Sequence, residues 1–373
     1  MSKQHIIGTN ALGYPEIRNF AGHHFDDFRF VKATDFYKIP SYLLFKTKGK
    51  INRKWQNTFF DAGFNNCEFF HFFNVLNAGS KPYITTYETR LPRWRDTPAD
   101  FKKGLALLAR DNCRQLIALS ECAHYFQKQI VNEFAPELSD SIAQKNIVML
   151  PPQMPFLEQW TDKKTNNNFI TFTIVGADFF RKGGQAIVDA FTVLLEKNKP
   201  VKLNIVSSLN YGDYVTKTEE EDASNVRRFA TRFSDNVTLY NKLSNQKVKE
   251  LLITSDIALL PSLAETFGYF TLEAQAAGCP VITTDIRAMP EINNSERGWI
   301  IPVKDTAYDI SADNIKQALN TITEQLIGIV ESVLVQPEII SLKSRAAFEN
   351  ILTRHNPDSH KLQLEKIYKS IIF

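Results

Sequence analysis

Glu265 and Glu273 are separated by seven residues in ETFGYFTLEAQAAGCPVI (265–282), with Phe267-Gly268 between them and an Ala-rich run behind. The preceding DIALLPS (256–262) has the short apolar run of a buried strand. The chain therefore turns at LAETFG and enters a helix at YFTLEAQAAG, with Gly278 suited to the position just past its end. Gly268 lets the backbone approach a bound group closely. The amides of a first helical turn, at the positive end of the dipole, suit a diphosphate. Glu273, one turn further in, would repel phosphate but suits two vicinal hydroxyls such as those of a ribose. Glu265, before the turn, would face a hexose on the other side. The two carboxylates then flank a nucleotide diphosphate from opposite ends.

A second anchor is VGADFFRKGG (175–184), where a strand ends in Gly176 and a loop carries Arg181 and Lys182 to a helix start. Cations so placed neutralise a leaving diphosphate, the principal demand of glycosyl transfer. The chain contains no Asp-x-Asp, the usual carboxylate chelate for a phosphate-bridging metal. No metal or cofactor is expected; Lys182, Arg181 and helix N-termini would supply the positive charge.

These residues must be positioned by strands and helices in alternation. CEFFHFFNVLN (67–77), KPYITTYET (81–89), RQLIALS (114–120) and NIVMLPP (146–152) read as strands, with helices over 98–112 and 122–134. PPQMPFLEQWTDKKTNNN (151–168) has the Pro-rich and polar composition of an interdomain connection. A second series follows: strands in FITFTIVG, VKLNIVSS, NVTLYNKL, DIALLPS and PVITTD, with helices after Gly184 and across NQKVKELLITS. Ile315, Leu319, Ile322, Leu326, Ile329 and Val333 keep the 3.6-residue period of a long helix, and Asn356-Pro357 opens a last one. This predicts an α/β chain of two Rossmann-like parallel-sheet domains facing across a cleft. The domains are residues 1–160 and 161–355, with the helix at 356–373 packing back on the first.

The assembled string resembles the family 4 retaining glycosyltransferases of the GT-B fold. It comprises Pro261-Ser262, Glu265, Phe267-Gly268, Glu273-Ala274, Ala277-Gly278 and Pro280-Val281-Ile282. LIALSECAHYF, NIVMLPP, IVGAD…KGG and MPEI…GWIIPV match family landmarks in order, from about residue 67 to the C-terminus. The resemblance implies that Glu273 binds the donor ribose and Glu265 the donor sugar or its phosphate region. It implies that backbone amides around Phe267, Gly268, Tyr269 and Phe270 hold the sugar and diphosphate, and that Lys182 is the phosphate-binding lysine. Glu291 matches a recurring position in the next loop.

Three departures stand out. Gly176-Ala177 replaces the family's Gly-Arg, and Arg181 would supply the missing charge. Tyr87, in TTYET, stands where the family has a histidine. Hydrogen bonding from Tyr87 or Glu88 could substitute, with Glu88 as the acceptor-activating base, or the acceptor side is organised differently. The glycine-rich first strand and turn is not legible in HIIGTNALGYPEIR, so the N-terminal domain reads as shortened or divergent. His71 reads as a satisfied core histidine. The phenylalanines of 58–73 read chiefly as packing, or as the lining of an apolar acceptor groove.

With 373 residues, 43% hydrophobic and 23% charged, the composition is that of a globular protein of about two domains. No signal peptide is legible at the start and no apolar run of about 18 residues is legible anywhere. Cys67, Cys113, Cys122 and Cys279 are scattered, which favours reduced thiols and the cytoplasm. Residues 1–150 carry 20 Lys/Arg against 14 Asp/Glu, and the remainder 24 against 27. The basic residues concentrate in FKTKGKINRKW (45–55) and TRLPRWR (89–95), beside aromatic rings. That chemistry suits an anionic membrane surface or a phosphate-bearing substrate, or is simply a solvated loop. No nucleic-acid motif accompanies it.

The expectation is a metal-independent hexosyltransferase that retains anomeric configuration. Its donor is a nucleotide diphosphate sugar linked to UDP or GDP. Its acceptor is a glycan or lipid-linked glycan, as in bacterial surface polysaccharide or lipopolysaccharide biosynthesis, on the cytoplasmic side of the plasma membrane. Two alternatives stay open: a sugar phosphorylase or synthase of the same fold, and a non-catalytic binding subunit, which Ala177 and Tyr87 would suit.

Overall fold

The computed structural model describes residues 4–161 and 168–372, so the polar tail of the Pro-rich connection, 162–167, lies outside the described residues. The chain divides into two compact units, one running to Pro152 and resuming at His355, the other Gln153–Arg354.

The first unit is built on β1 (His5–Thr9), β2 (Phe28–Lys32), β4 (Phe69–Phe73), β6 (Tyr83–Tyr87), β7 (Cys113–Ala118) and β8 (Asn146–Val148). They form a parallel sheet in the order β2-β1-β4-β6-β7-β8, and β3 (Thr58–Phe59) pairs separately with β5 (Leu76–Asn77). The first strand, which was not legible in the sequence, is HIIGT; it forms β1, paired from His5 with Phe28 to Thr9 with Lys32. Its helices are α1 (Tyr14–Glu16), α2 (Lys38–Lys48), α3 (Arg53–Gln56), α4 (Pro98–Ala109), α5 (Glu121–Phe134), α6 (Ser139–Ala143) and the terminal α14 (Pro357–Ile372). Local chemistry sets their starts. Ser120 Oγ accepts the Ala123 amide to cap α5, and Thr97 caps α4 ahead of Pro98 at the first helical position.

All five residues of β4 are buried, since the strand is flanked by β1 and β6 and covered on both faces. Phe70 and Phe72 stack on one face, 5.3 Å between centroids, with Phe59 4.7 Å from Phe70. On the other face, Phe69 lies 5.5 Å from the ring of Tyr368 on α14. His71 shares that face, one ring nitrogen 2.8 Å from the Tyr368 hydroxyl and the other 2.9 Å from Thr86 Oγ1. It is a satisfied core histidine. Phe59, Phe69, Phe70 and Phe72 are fully buried and fill a core, whereas Phe60 is half-buried and Phe64 is 71% exposed.

Tyr87 is likewise a core residue. It is fully buried and its hydroxyl donates to Asn146 Oδ1 at 2.8 Å. It therefore cannot take the place of an exposed histidine toward an acceptor.

The second unit pairs β9 (Ile170–Val175), β10 (Val201–Val206), β11 (Val237–Tyr240), β12 (Ile257–Leu260), β13 (Val281–Thr284) and β14 (Gly298–Ile301). All are parallel, in the order β11-β10-β9-β12-β13-β14, the doubly wound arrangement. Its helices are α7 (Gly184–Glu196), α8 (Glu220–Arg232), α9 (Asn245–Thr254), α10 (Tyr269–Ala276), α11 (Met289–Ile292), α12 (Ile315–Val335) and α13 (Glu338–Arg354). Phe172, Ile187, Phe191, Leu194, Ile322, Leu326 and Val330 belong to one fully buried cluster on this sheet. Residues 312–335 around α12 are long and apolar enough to cross a bilayer, but Ile322, Leu326, Val330 and Val333 are the core face of a packed helix.

Candidate functional site

The strand order of the second unit reverses between β9 and β12, which pair through Phe172–Ile257 and Thr173–Ala258. Chains leaving neighbouring strands on either side of such a point diverge and leave a crevice at the carboxyl ends. Here the two loops are 176–183, after β9, and 261–268, after β12. They are fastened together by the Leu263 amide, which donates to Arg181 O at 2.9 Å. Gly183 has φ +79, and a Cβ there would sit 2.1 Å from Pro261 O. Only glycine permits that approach.

Gly176, Arg181, Lys182 and Glu265 meet in this crevice. The Lys182 side chain crosses Gly176, where a Cβ would lie 2.4 Å from Lys182 Cε. Lys182 Nζ ends 3.5 Å from Glu265 Oε2, and Arg181 reaches the same oxygen at 3.4 Å. Glu265 Oε1 accepts the Thr266 amide at 3.2 Å. Arg181 also donates to Ala264 O at 2.6 Å and pairs with Asp178 at 3.3 Å. The Lys182 and Glu265 side chains are only 13% and 11% exposed, which strengthens the pairing relative to a surface ion pair. Glu265 thus lies on the same side as the cations, holding them together.

Gly268 opens α10 at φ +90, with Met289 Sδ 2.5 Å from where a Cβ would be. The side chains of Phe267 and Phe270 are buried, so each can offer a ligand only its backbone. Phe267 packs 5.0 Å from the Tyr269 ring. Glu273 is half-buried in the second turn of α10. Gly278, at φ +63, ends the helix, and the Cys279 amide turns back to Ala274 O at 2.9 Å. Glu291 sits on α11; its carbonyl accepts Arg297 and Arg354, at 3.5 and 3.1 Å.

Glu88 belongs to the first unit. It follows β6, where Arg93 pairs with it at 2.8 Å and Asn74 donates to the same Oε1 at 3.2 Å. Its carboxylate is held by a cation and an amide at the carboxyl edge of that sheet.

A cavity of about 440 Å³ opens beside Gly176 and is lined by Ala177, Ser207, Ser208, Lys242, Leu243 and Val248 among others. Its walls are the carboxyl ends of β9, β10 and β11 with the start of α9; of these residues, Gly176 and Ala177 were marked in the sequence as part of VGADFFRKGG. Its volume is within the range of small-ligand pockets, and its mixture of apolar walls with a few hydroxyls and one lysine suits a nucleoside.

Residues 158–324 match the model of glycosyl transferases group 1. The chain is 27% identical over 171 residues to the capsular polysaccharide biosynthesis glycosyltransferase CapM of Staphylococcus aureus. It is 29% identical over 132 residues to a GDP-mannose-dependent monoacylated alpha-(1-6)-phosphatidylinositol monomannoside mannosyltransferase of Corynebacterium glutamicum. These matches cover 44% and 34% of this chain and 40% and 32% of those proteins, so the chain matches well under half the length of either relative. The structure superposes on HepE of Anabaena, solved in complex with UDP, with a TM-score of 0.64 at 11% identity, covering 99% of this chain and all of that one. The chain has the GT-B fold of glycosyltransferases, and the segment that matches the glycosyl transferases group 1 model contains every candidate residue of the second unit.

Proposed function

We propose that this chain transfers a hexosyl unit from a nucleotide diphosphate sugar, UDP- or GDP-linked, to a glycan or lipid-linked glycan, with retention of configuration and without a metal. The observation that carries this is the Lys182–Glu265–Arg181 cluster at the switch point of a doubly wound sheet. Two cations and a helix N-terminus converge there with one carboxylate between the cations. A diphosphate would replace that carboxylate on Lys182, releasing Glu265 toward the sugar hydroxyls. Glu273 would accept from the ribose hydroxyls, and the cavity beside Gly176 would take the base. The donor complexes of HepE, with UDP and with UDP-glucose, are compatible with such a ligand on this fold.

In the transfer step, the bond between the anomeric carbon and the diphosphate oxygen breaks as the acceptor oxygen bonds to the same face. The acceptor proton passes to the departing phosphate, and Lys182 and Arg181 stabilise the charge that develops there. Positioning does the remainder. Surface polysaccharide assembly is the process this chemistry would serve.

The test is a thermal-shift screen against UDP, GDP, ADP and CMP compounds, followed by product analysis with the stabilising donor. A ligand at a hundred times its Kd adds about 2.7 kcal/mol to the folded state and raises Tm. UDP or GDP should stabilise the chain, and the product should keep the donor's anomeric configuration. No shift with any nucleotide overturns the reading, and consumption of inorganic phosphate instead of a sugar acceptor would make the chain a phosphorylase.

A further inference from the structure

No residue of α2 is buried, yet the helix is not a polar one. Pro40, Ser41 and Leu44 are half-buried and mark its inner side. At about 100° per residue, Phe45, Tyr42, Ile39 and Leu43 fall within an outward arc of roughly 160°. They are 54–61% exposed, and Ile51 just beyond is 57% exposed. This reverses the pattern of a helix lying between a core and water, whose apolar stripe faces inward.

Charge accompanies the inversion. From Phe36 to Phe60 the chain carries Lys38, Lys46, Lys48, Lys50, Arg53 and Lys54 and no acidic residue. The Lys46 ammonium lies 5.9 Å over the Tyr42 ring, so the cation shares the apolar face. Lys38 donates to Asn10 O, which ties the start of α2 to the loop leaving the carboxyl end of β1. The patch therefore borders the edge of the first unit's sheet that would receive a ligand.

We propose that α2 docks in the plane of an anionic phospholipid surface, with Ile39, Tyr42, Leu43 and Phe45 in the headgroup boundary and the surrounding lysines on lipid phosphates. Exposed apolar side chains with cations along their flanks gain from hydrocarbon and anionic headgroups together. A second copy of this chain on the same face would set its basic residues against basic residues across a two-fold contact, with no acidic residue between Phe36 and Phe60 to pair them. A lipid surface satisfies both the apolar and the basic residues. The docking stands independently of glycosyl transfer; if both hold, the bilayer presents the acceptor at the sheet edge beside α2.

The test is co-flotation of the full chain with vesicles of phosphatidylcholine alone or containing about 30% phosphatidylglycerol, an anionic charge density that attracts polybasic segments. The chain should float with the anionic vesicles, not the neutral ones, and release in about 0.5 M salt as its charges are screened. Combined Lys46→Glu, Lys48→Glu and Lys50→Glu should lower partitioning at least about a hundredfold, at about fivefold per charge removed. Combined Tyr42→Ser, Leu43→Ser and Phe45→Ser should abolish flotation while leaving Tm and the nucleotide-induced shift unchanged, since these side chains are exposed. Equal flotation with neutral vesicles, none with either, or unaltered flotation of both variants overturns the proposal. So does a dimer in sedimentation velocity that the serine variant dissolves.

Discussion

A single oxygen, Glu265 Oε2, accepts both Lys182 and Arg181. That sharing sets opposite expectations for neighbouring substitutions. Lys182→Ala should weaken UDP or GDP binding by about 1.5–3 kcal/mol, the worth of a charged hydrogen bond. Glu265→Gln removes the competitor for Lys182, so nucleotide affinity should hold or rise while transfer to acceptor falls. Titration calorimetry beside a turnover assay separates the two, and a parallel loss of affinity in both variants would sink the shared-oxygen account. Glu273→Ala should weaken nucleotide binding by about 1–3 kcal/mol through lost ribose bonds, and unchanged calorimetry would remove Glu273 from the site. The types and spacing of these residues were legible because the strand, the Gly268 turn and the helix between Glu265 and Glu273 are local features. The pairing of Glu265 with a lysine 83 residues upstream was not.

Among the elements, those with a strong period or a strand–turn–helix rhythm were readable, and those ruled by their neighbours were not. α7, α12 and α14 show regular apolar faces. α8 buries only Ala223, Val226 and Phe229 on an otherwise charged helix, too narrow a stripe to announce itself. Tyr87 looked like a site residue because TTYET aligns with one, but β6 lies between β4 and β7 and buries all five of its residues. Docking of α14 on the first unit rests on Tyr368, fully buried among Phe25, Phe28 and Phe69 with its hydroxyl on His71. Tyr368→Ala should cost about 3–5 kcal/mol as for other buried aromatics, read as a lower urea midpoint. Tyr368→Phe should cost about 1–3 kcal/mol by orphaning a buried histidine nitrogen. At the other sheet, Gly183→Ala would force a Cβ into Pro261 O at a positive φ, and its melting temperature should fall well below that of an exposed Gly→Ala change such as Gly328→Ala.

Across the molecule, the buried histidines of the first unit make folding depend on pH. Burial, with His23 and His355 nearby, holds His360 down at about 3. Burial also lowers His23, whose Nε2 lies 2.9 Å from His360 Nδ1, and holds His71 well below its usual range. These groups stay neutral in the folded chain while the unfolded chain takes up protons near pH 6.5. Their contribution is therefore present above about pH 6.5 and is lost steadily as pH falls toward 3. Thermal or urea unfolding monitored from pH 7.5 to 5 should show declining stability, and His360→Gln should flatten the slope. An unchanged slope in that variant would remove His360 as a contributor.

The sequence by itself determined where strands, turns and helices fall around the two anchors, because glycine, proline and apolar periodicity act within a few residues. It also determined that a glycine turn opening a helix lies between Glu265 and Glu273. Only the tertiary structure decided which of those turns face each other. Parallel pairing of β9 with β12 brings loops more than 80 residues apart into hydrogen-bond contact, and strand order leaves no local mark in the chain. The same holds for Tyr87, sealed into a core by its neighbours, and for α2, whose apolar side is turned outward by what packs behind it.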